Sequence, residues 1–137
     1  DEFGDREEIM KSLKLAVVFA VAFAGQAMAD PAEGVWKTQT DDGAYAHVTM
    51  KKCGAAICGT ISRTFNDSGE YKSPNLGKQI VRSMKPLGGG KYEGKVWRPS
   101  NNKIYLGKID LGGNSLKLAG CIAGGLLCSK QTWTRIK

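Results

Sequence analysis

Beyond Asp30 the chain never sustains an apolar period of 3.6 residues and advances instead in short alternating runs broken by Gly, Asn and Asp. Such a pattern specifies half-buried β-strands joined by tight turns. The runs cover residues 35–40, 44–53, 57–66, 78–87, 91–98, 103–111, 115–121 and 130–136. In the second, Tyr45, His47 and Thr49 share one face and Ala46, Val48 and Met50 the other. The fourth alternates least and reads as a weak strand or a short helix, while residues 67–77 (DSGEYKSPNLG) form the longest loop. About eight short antiparallel strands predict an all-β fold, a small up-and-down barrel, because closing the sheet removes its exposed edges. A two-sheet sandwich is the alternative architecture. A barrel this small is filled by its own side chains or holds one small ligand.

The first 29 of the 137 residues stand apart from this pattern. Residues 10–29 (MKSLKLAVVFAVAFAGQAMA) place Lys11 and Lys14 before an apolar run, which ends at the small-x-small triplet Ala27-Met28-Ala29. That is the layout of a secretory signal peptide, with cleavage expected near Ala29. The apolar run falls short of the ~20 residues that span a bilayer. Residues 1–9 (DEFGDREEI) read as added or upstream residues. The expected mature chain is a single domain, residues 30–137, without a transmembrane segment and located in the periplasm or secreted.

Charge narrows the partners. Residues 1–29 take three of the 20 bases and five of the 13 acids, leaving 17 against 8 in the mature domain, a net charge of +9. Such a balance bears on solubility and partners, not on fold. Export argues against nucleic acid and directs attention to anionic envelope surfaces (lipid, lipopolysaccharide, peptidoglycan) or a small anionic ligand. A basic surface with no partner is the plain alternative.

All four cysteines fall in the mature domain, and an even count in an exported chain of this size reads as disulfides. Four cysteines allow three pairings. Cys53–Cys58 and Cys121–Cys128 are favoured because each pair brackets a turn-like segment, CGAAIC and CIAGGLLC. Loops this short contribute roughly 2 kcal/mol each in the chain-entropy picture. The spacings do not suit paired zinc ligands, and neither is a C-x-x-C redox motif.

Gly34-Val35-Trp36 opens the first strand, and Thr132-Trp133-Thr134-Arg135 nearly ends the last. The pair resembles the G-x-W and basic residue that meet where lipocalin-like barrels close. On that reading Arg135 stacks on Trp36, worth ~0.5–2 kcal/mol as a cation–π contact. Longer segments sharpen the likeness: KCGAAICGTI, GKYEGKVWRPSNNKIY and LKLAGCIAGGLLCSKQTWTR. Together with G-V-W these resemble the bacterial exported family called domain of unknown function 2147, over the whole mature domain. The resemblance implies a lipocalin-like barrel in the cell envelope and carries no assigned reaction.

No catalytic constellation emerges. His47 is the single histidine, no G-x-S-x-G elbow accompanies Ser62 or Ser68, and no carboxylate pair stands out. The segment 67–70 lacks the ligand count of a calcium loop, and Gly88-Gly89-Gly90 without a following helix is a turn. Neither cofactor nor metal is implied. Binding is the expected activity, of a small hydrophobic or anionic envelope molecule. Tyr45, His47, Tyr92, Trp97 and Tyr105 are the candidate lumen lining, although any small barrel also uses such aromatics as core. A protein-interaction or inhibitor module with a filled barrel is the second reading, and a hydrolase the third. A charge of +9 disfavours inhibition of a basic enzyme.

Overall fold

The computed structural model describes residues 29–137; the upstream segment and the expected signal peptide, except Ala29, lie outside the described residues. All eight alternating runs are strands, and a ninth lies within the long loop. In chain order they are β1 (Gly34–Lys37), β2 (Tyr45–Cys53), β3 (Ala56–Asn66), β4 (Gly69–Tyr71), β5 (Gln79–Gly88), β6 (Lys91–Arg98), β7 (Lys103–Gly112), β8 (Ser115–Ile122) and β9 (Leu127–Arg135). A short 3-10 turn, Ala123–Gly125, joins the last two. All pairings are antiparallel. The sheet runs β2-β1-β9-β8-β7-β6-β5-β3, and a β2–β3 pairing closes it into an eight-strand barrel, with β4 attached to β3 as a short flap.

Side-chain direction follows the period-2 rule except where register breaks on β3 and β5 reverse it. On β2, Val48 and Met50 are buried in the core, so Tyr45 and His47 point to the outer wall. On β3, His47 pairs with Arg63 while Val48 pairs with Ile61, which leaves Ser62 as an extra residue. The Ser62 hydroxyl donates to the His47 carbonyl at 3.1 Å. Strict alternation from Ile61 would turn Arg63 and Phe65 inward; the bulge sends them outward and buries Thr64.

On β5 the register with β6 slips between Arg82 and Lys85, where Ser83 takes a positive φ of 50°. This bulge brings both Val81 and Met84 into the core and keeps Lys85 out. It also explains why the fourth run alternates poorly. Gly94 lies beneath it, and a Cβ there would stand 2.5 Å from the Ser83 carbonyl oxygen.

The interior is occupied by large side chains. Trp36, Trp133, Met50, Met84, Ile57, Leu116, Val48 and Val81 are essentially inaccessible to solvent. The thioethers lie over strand glycines: a Cβ on Gly59 would come within 2.6 Å of the Met50 sulfur, and one on Gly107 would strike the Met84 methyl. Both disulfides, Cys53–Cys58 and Cys121–Cys128, are present and join neighbouring strands.

The 30–33 turn and the C-terminal residues 135–137 meet at the closed end of the barrel. Trp36 pairs with Arg135, whose guanidinium lies 4.3 Å from the Trp36 ring centroid. Arg135 also donates to the Glu33 carbonyl at 2.8 Å and to the Pro31 carbonyl. The Trp36 indole N–H donates to the Ala32 carbonyl at 2.9 Å, so the 30–33 turn plugs this end.

Arg135→Ala removes a stacked cation and leaves two carbonyls without donors, and is expected to cost about 2–4 kcal/mol in urea unfolding. Arg135→Lys should restore only part, because an ammonium lacks the planar fork. Gly94→Ala forces backbone apart and is expected to cost about 1–3 kcal/mol, whereas Gly112→Ala, with open space around it, should fall within about 1 kcal/mol of the parent.

Candidate functional site

The five residues expected to line one lumen do not come together. Tyr92 and Tyr105 lie on the inner face, but Tyr45, His47 and Trp97 do not belong to the core cluster. The reason is parity: inward Val48 and Val96 commit their odd-numbered strand neighbours to the opposite side. Tyr92 is buried at the plugged end, where its hydroxyl donates to the Asp30 carboxylate at 2.5 Å. Burial, reinforced by that carboxylate, pushes the phenol well above its ordinary range. The Tyr105 hydroxyl accepts from the Asn101 amide at 2.7 Å, at the other end. Trp97 donates its indole N–H to Asn102 at 2.9 Å and carries Lys78 and Arg82 at 5.5 and 6.0 Å from its ring centroid.

Tyr45 and His47 belong to a cluster on the outer wall of β1, β2 and β3. The Tyr45 and Phe65 rings stack with centroids 4.7 Å apart, and His47 tilts against Phe65 at the same distance. Lys37 lies over Tyr45 and Arg63 over Phe65, at 4.5 and 5.2 Å from the ring centroids. Arg63 forks onto the Glu70 carboxylate at 2.6 and 2.8 Å. Partial burial, then the Arg63 charge, holds the His47 imidazole below its ordinary pKa, with Lys37 acting the same way and Glu70 opposing. The Glu70 carboxylate is engaged by Arg63. Rings, cations and carboxylate brace this wall against one another.

A cleft of about 730 Å³ lies on the opposite outer wall, across β6, β7, β8 and β9. That volume falls within the roughly 300–1,000 Å³ of small-molecule sites. Lys91, Lys108, Lys117 and Lys130 line it against Glu93 and Asp110, with Ala119 and Cys128 along its floor and Leu87 and Leu126 at its sides. Strand register aligns these side chains: Lys85, Glu93, Lys108, Ala119 and Lys130 pair in succession, and Asp110 pairs with both Lys91 and Lys117. Lys91 contacts Asp110 at 3.2 Å, an exposed pair. The β8–β9 turn leans over this wall, bringing Gly125 beside the Lys108 ammonium and the Leu106 side chain. The lean covers Ala119 and Cys121, which are buried although they face outward. Among the described residues, no group of three or more His, Cys, Asp or Glu stands ready to hold a metal ion.

None of the cleft lysines follows from a motif. The signals available were the +9 balance and the eight uncharged residues CIAGGLLC, and neither says which strands become neighbours.

A closed antiparallel barrel, plugged at one end by its own N-terminal turn and sealed by Arg135 on Trp36, is lipocalin-like. A solved Helicobacter pylori protein, HP1028, described as belonging to the lipocalin family, superposes with a TM-score of 0.62. The match covers 80% of this chain and 85% of that one at 16% identity, a likeness of fold. The chain belongs to the bacterial family described as "Uncharacterized protein conserved in bacteria (DUF2147)", whose model matches residues 34–135. Those bounds run from the first residue of β1 to the last of β9. No curated protein matches the sequence.

Because His47 is the single histidine, its titration is directly readable by NMR. The midpoint is expected below the ordinary 6.5, and Arg63→Ala should raise it by removing one positive neighbour and releasing Glu70. With the folded value depressed, the neutral ring's contribution to stability is full above the unfolded pKa and is lost as pH falls through the folded one. An unchanged midpoint in Arg63→Ala would remove Arg63 as a cause.

Proposed function

We propose that this chain is an exported envelope protein that binds a small anionic amphiphile in the outer-wall cleft, not in the barrel lumen. The observation that carries the reading is the placement of four lysines and two exposed leucines around one cleft, over a core already filled by Trp36, Trp133, Met50 and Met84. Four ammonium groups against two carboxylates, one of them engaged by Lys91, leave a surplus of positive charge for an anionic head. Leu87 and Leu126, 63% and 85% exposed, supply apolar contact for a tail.

Export is supported by the signal-like residues 10–29, by two disulfides and by the arrangement at Asp30. The Asp30 backbone nitrogen lies 2.6 Å from the Glu33 carboxylate. Cleavage after Ala29 would make that nitrogen an ammonium, and a charged donor strengthens the bond. The plug therefore favours a chain that begins there. Catalysis has less support, because His47 stands in a self-satisfied cluster.

Native and denaturing mass spectrometry of the protein recovered from a bacterial periplasm tests this reading. The expected outcome is a chain starting at Asp30, four hydrogens lighter than the reduced form, and carrying an anionic adduct. The Lys108→Glu, Lys130→Glu variant should lose the adduct while keeping its fold. An uncleaved cytoplasmic chain would overturn export, and an adduct retained by the variant would overturn the cleft.

A further inference from the structure

We infer that the β8–β9 turn and the lysines beside it form a docking surface for a bilayer rich in anionic lipid. The inference rests on the cleft reading above and names the source of the amphiphile as the membrane itself. From Cys121 to Cys128 the chain has no charged residue. Its large side chains are turned to solvent: Ile122 is 53% exposed, Leu127 62% and Leu126 85%. Three exposed aliphatics at one tip are costly in water and suited to the boundary between headgroups and acyl chains.

The tip, leaning toward the lysine wall, is fixed by covalent and backbone structure. Cys121–Cys128 joins the two strands at its base, and Ile122 pairs with Leu127 one residue further toward the tip, on the barrel-mouth side of the hairpin. Ala123, Gly124 and Gly125 turn the chain with positive φ, so no bulky residue shields the aliphatics.

Charge selects the occupant. The wall below the tip carries Lys108, Lys117 and Lys130, and further along Lys85, Lys91 and Lys95, against Glu93 and Asp110. Acids of the same barrel end are gathered elsewhere: Asp41 and Asp42 lie in the β1–β2 turn, where Gly43 approaches the Asp67 carboxylate. One side of the barrel is thus basic with an apolar tip, and the other bears the acidic turns. An anionic bilayer matches both features at once, since each basic residue near such a surface adds attraction and the aliphatics enter below the headgroups. A protein partner would need its own complementary acidic, apolar patch, which nothing in this structure specifies.

The test uses the disulfide-intact chain and sedimentation with vesicles of phosphatidylcholine alone or with one third phosphatidylglycerol. Binding is expected to be at least about 10-fold tighter to the anionic vesicles and to weaken with salt, because exposed charges are screened. Leu126→Asp, at a side chain already in solvent, should lower vesicle affinity about 10-fold with unchanged Tm, and Lys108→Glu, Lys130→Glu should lower it at least as much. Equal binding to both vesicles, or full binding by Leu126→Asp, would overturn the docking surface.

Monomeric dihexanoyl phosphatidylglycerol separates the two readings. Binding of this lipid by the parent without vesicle binding would keep the cleft and overturn docking, while binding of neither would overturn both. Vesicles ignored by a parent whose dimer disappears in Leu126→Asp, seen by light scattering, would assign the tip to a second copy and overturn the bilayer.

Discussion

Closure of the sheet depends on a seam only two residue pairs long. β1 pairs with β2 through all four of its residues but with β9 only at Trp36–Arg135 and Lys37–Thr134. Without that seam the sheet would present two unpaired edges, and its inner face would open to water. Arg135 reinforces it by covering the Trp36 indole and donating to carbonyls of the 30–33 turn. Backbone bonds from Val35 to the Lys137 carbonyl and from Ile136 to the Val35 carbonyl extend it. Beyond Lys37, the Gln39 side chain accepts from the Thr132 N–H at 3.0 Å, where β1 no longer follows β9. Arg135 on the Trp36 indole, with these backbone bonds, therefore joins the plug to the first and last strands.

Once closed, a barrel of this circumference has a fixed interior, and here bulky residues take it. Two tryptophans and two methionines belong to one buried cluster, and the strand glycines Gly59 and Gly107 leave room for the thioethers. The packed barrel is a frame that presents two unlike outer walls. On the β1–β2–β3 wall, aromatic rings, cations and Glu70 satisfy one another. On the β6–β9 wall, lysines outnumber their acid partners beside an uncharged turn. The physical difference between those walls is mutual satisfaction on one and surplus positive charge on the other.

Much of the frame was legible from residues alone. Alternation over residues 91–98 and 103–111 marked β6 and β7 almost to the residue, and the cysteine spacings marked both hairpin staples. The β4 flap has no sequence signal because three exposed residues carry no alternation, and the start of β9 has none because Leu127 and Cys128 fall within the turn-like segment CIAGGLLC. The aromatic candidates were harder. Tyr92 and Tyr105 face inward at opposite ends, while Tyr45, His47 and Trp97 face away from the core.

What the sequence by itself determined is whatever depends on neighbours along the chain: the period of two, the turn chemistry, the disulfide-closed loops and the net positive charge. Inward or outward direction is a relation between strands, and one extra residue reverses it for everything that follows. The bulges at Ser62 and Ser83 are such residues, and they decide that Phe65 stays outside and Met84 inside. Charge obeys the same division. Its total is a sum over composition, but its concentration on one wall required β6, β7, β8 and β9 to lie side by side in register, and that pairing brings Lys108, Lys117 and Lys130 to one cleft.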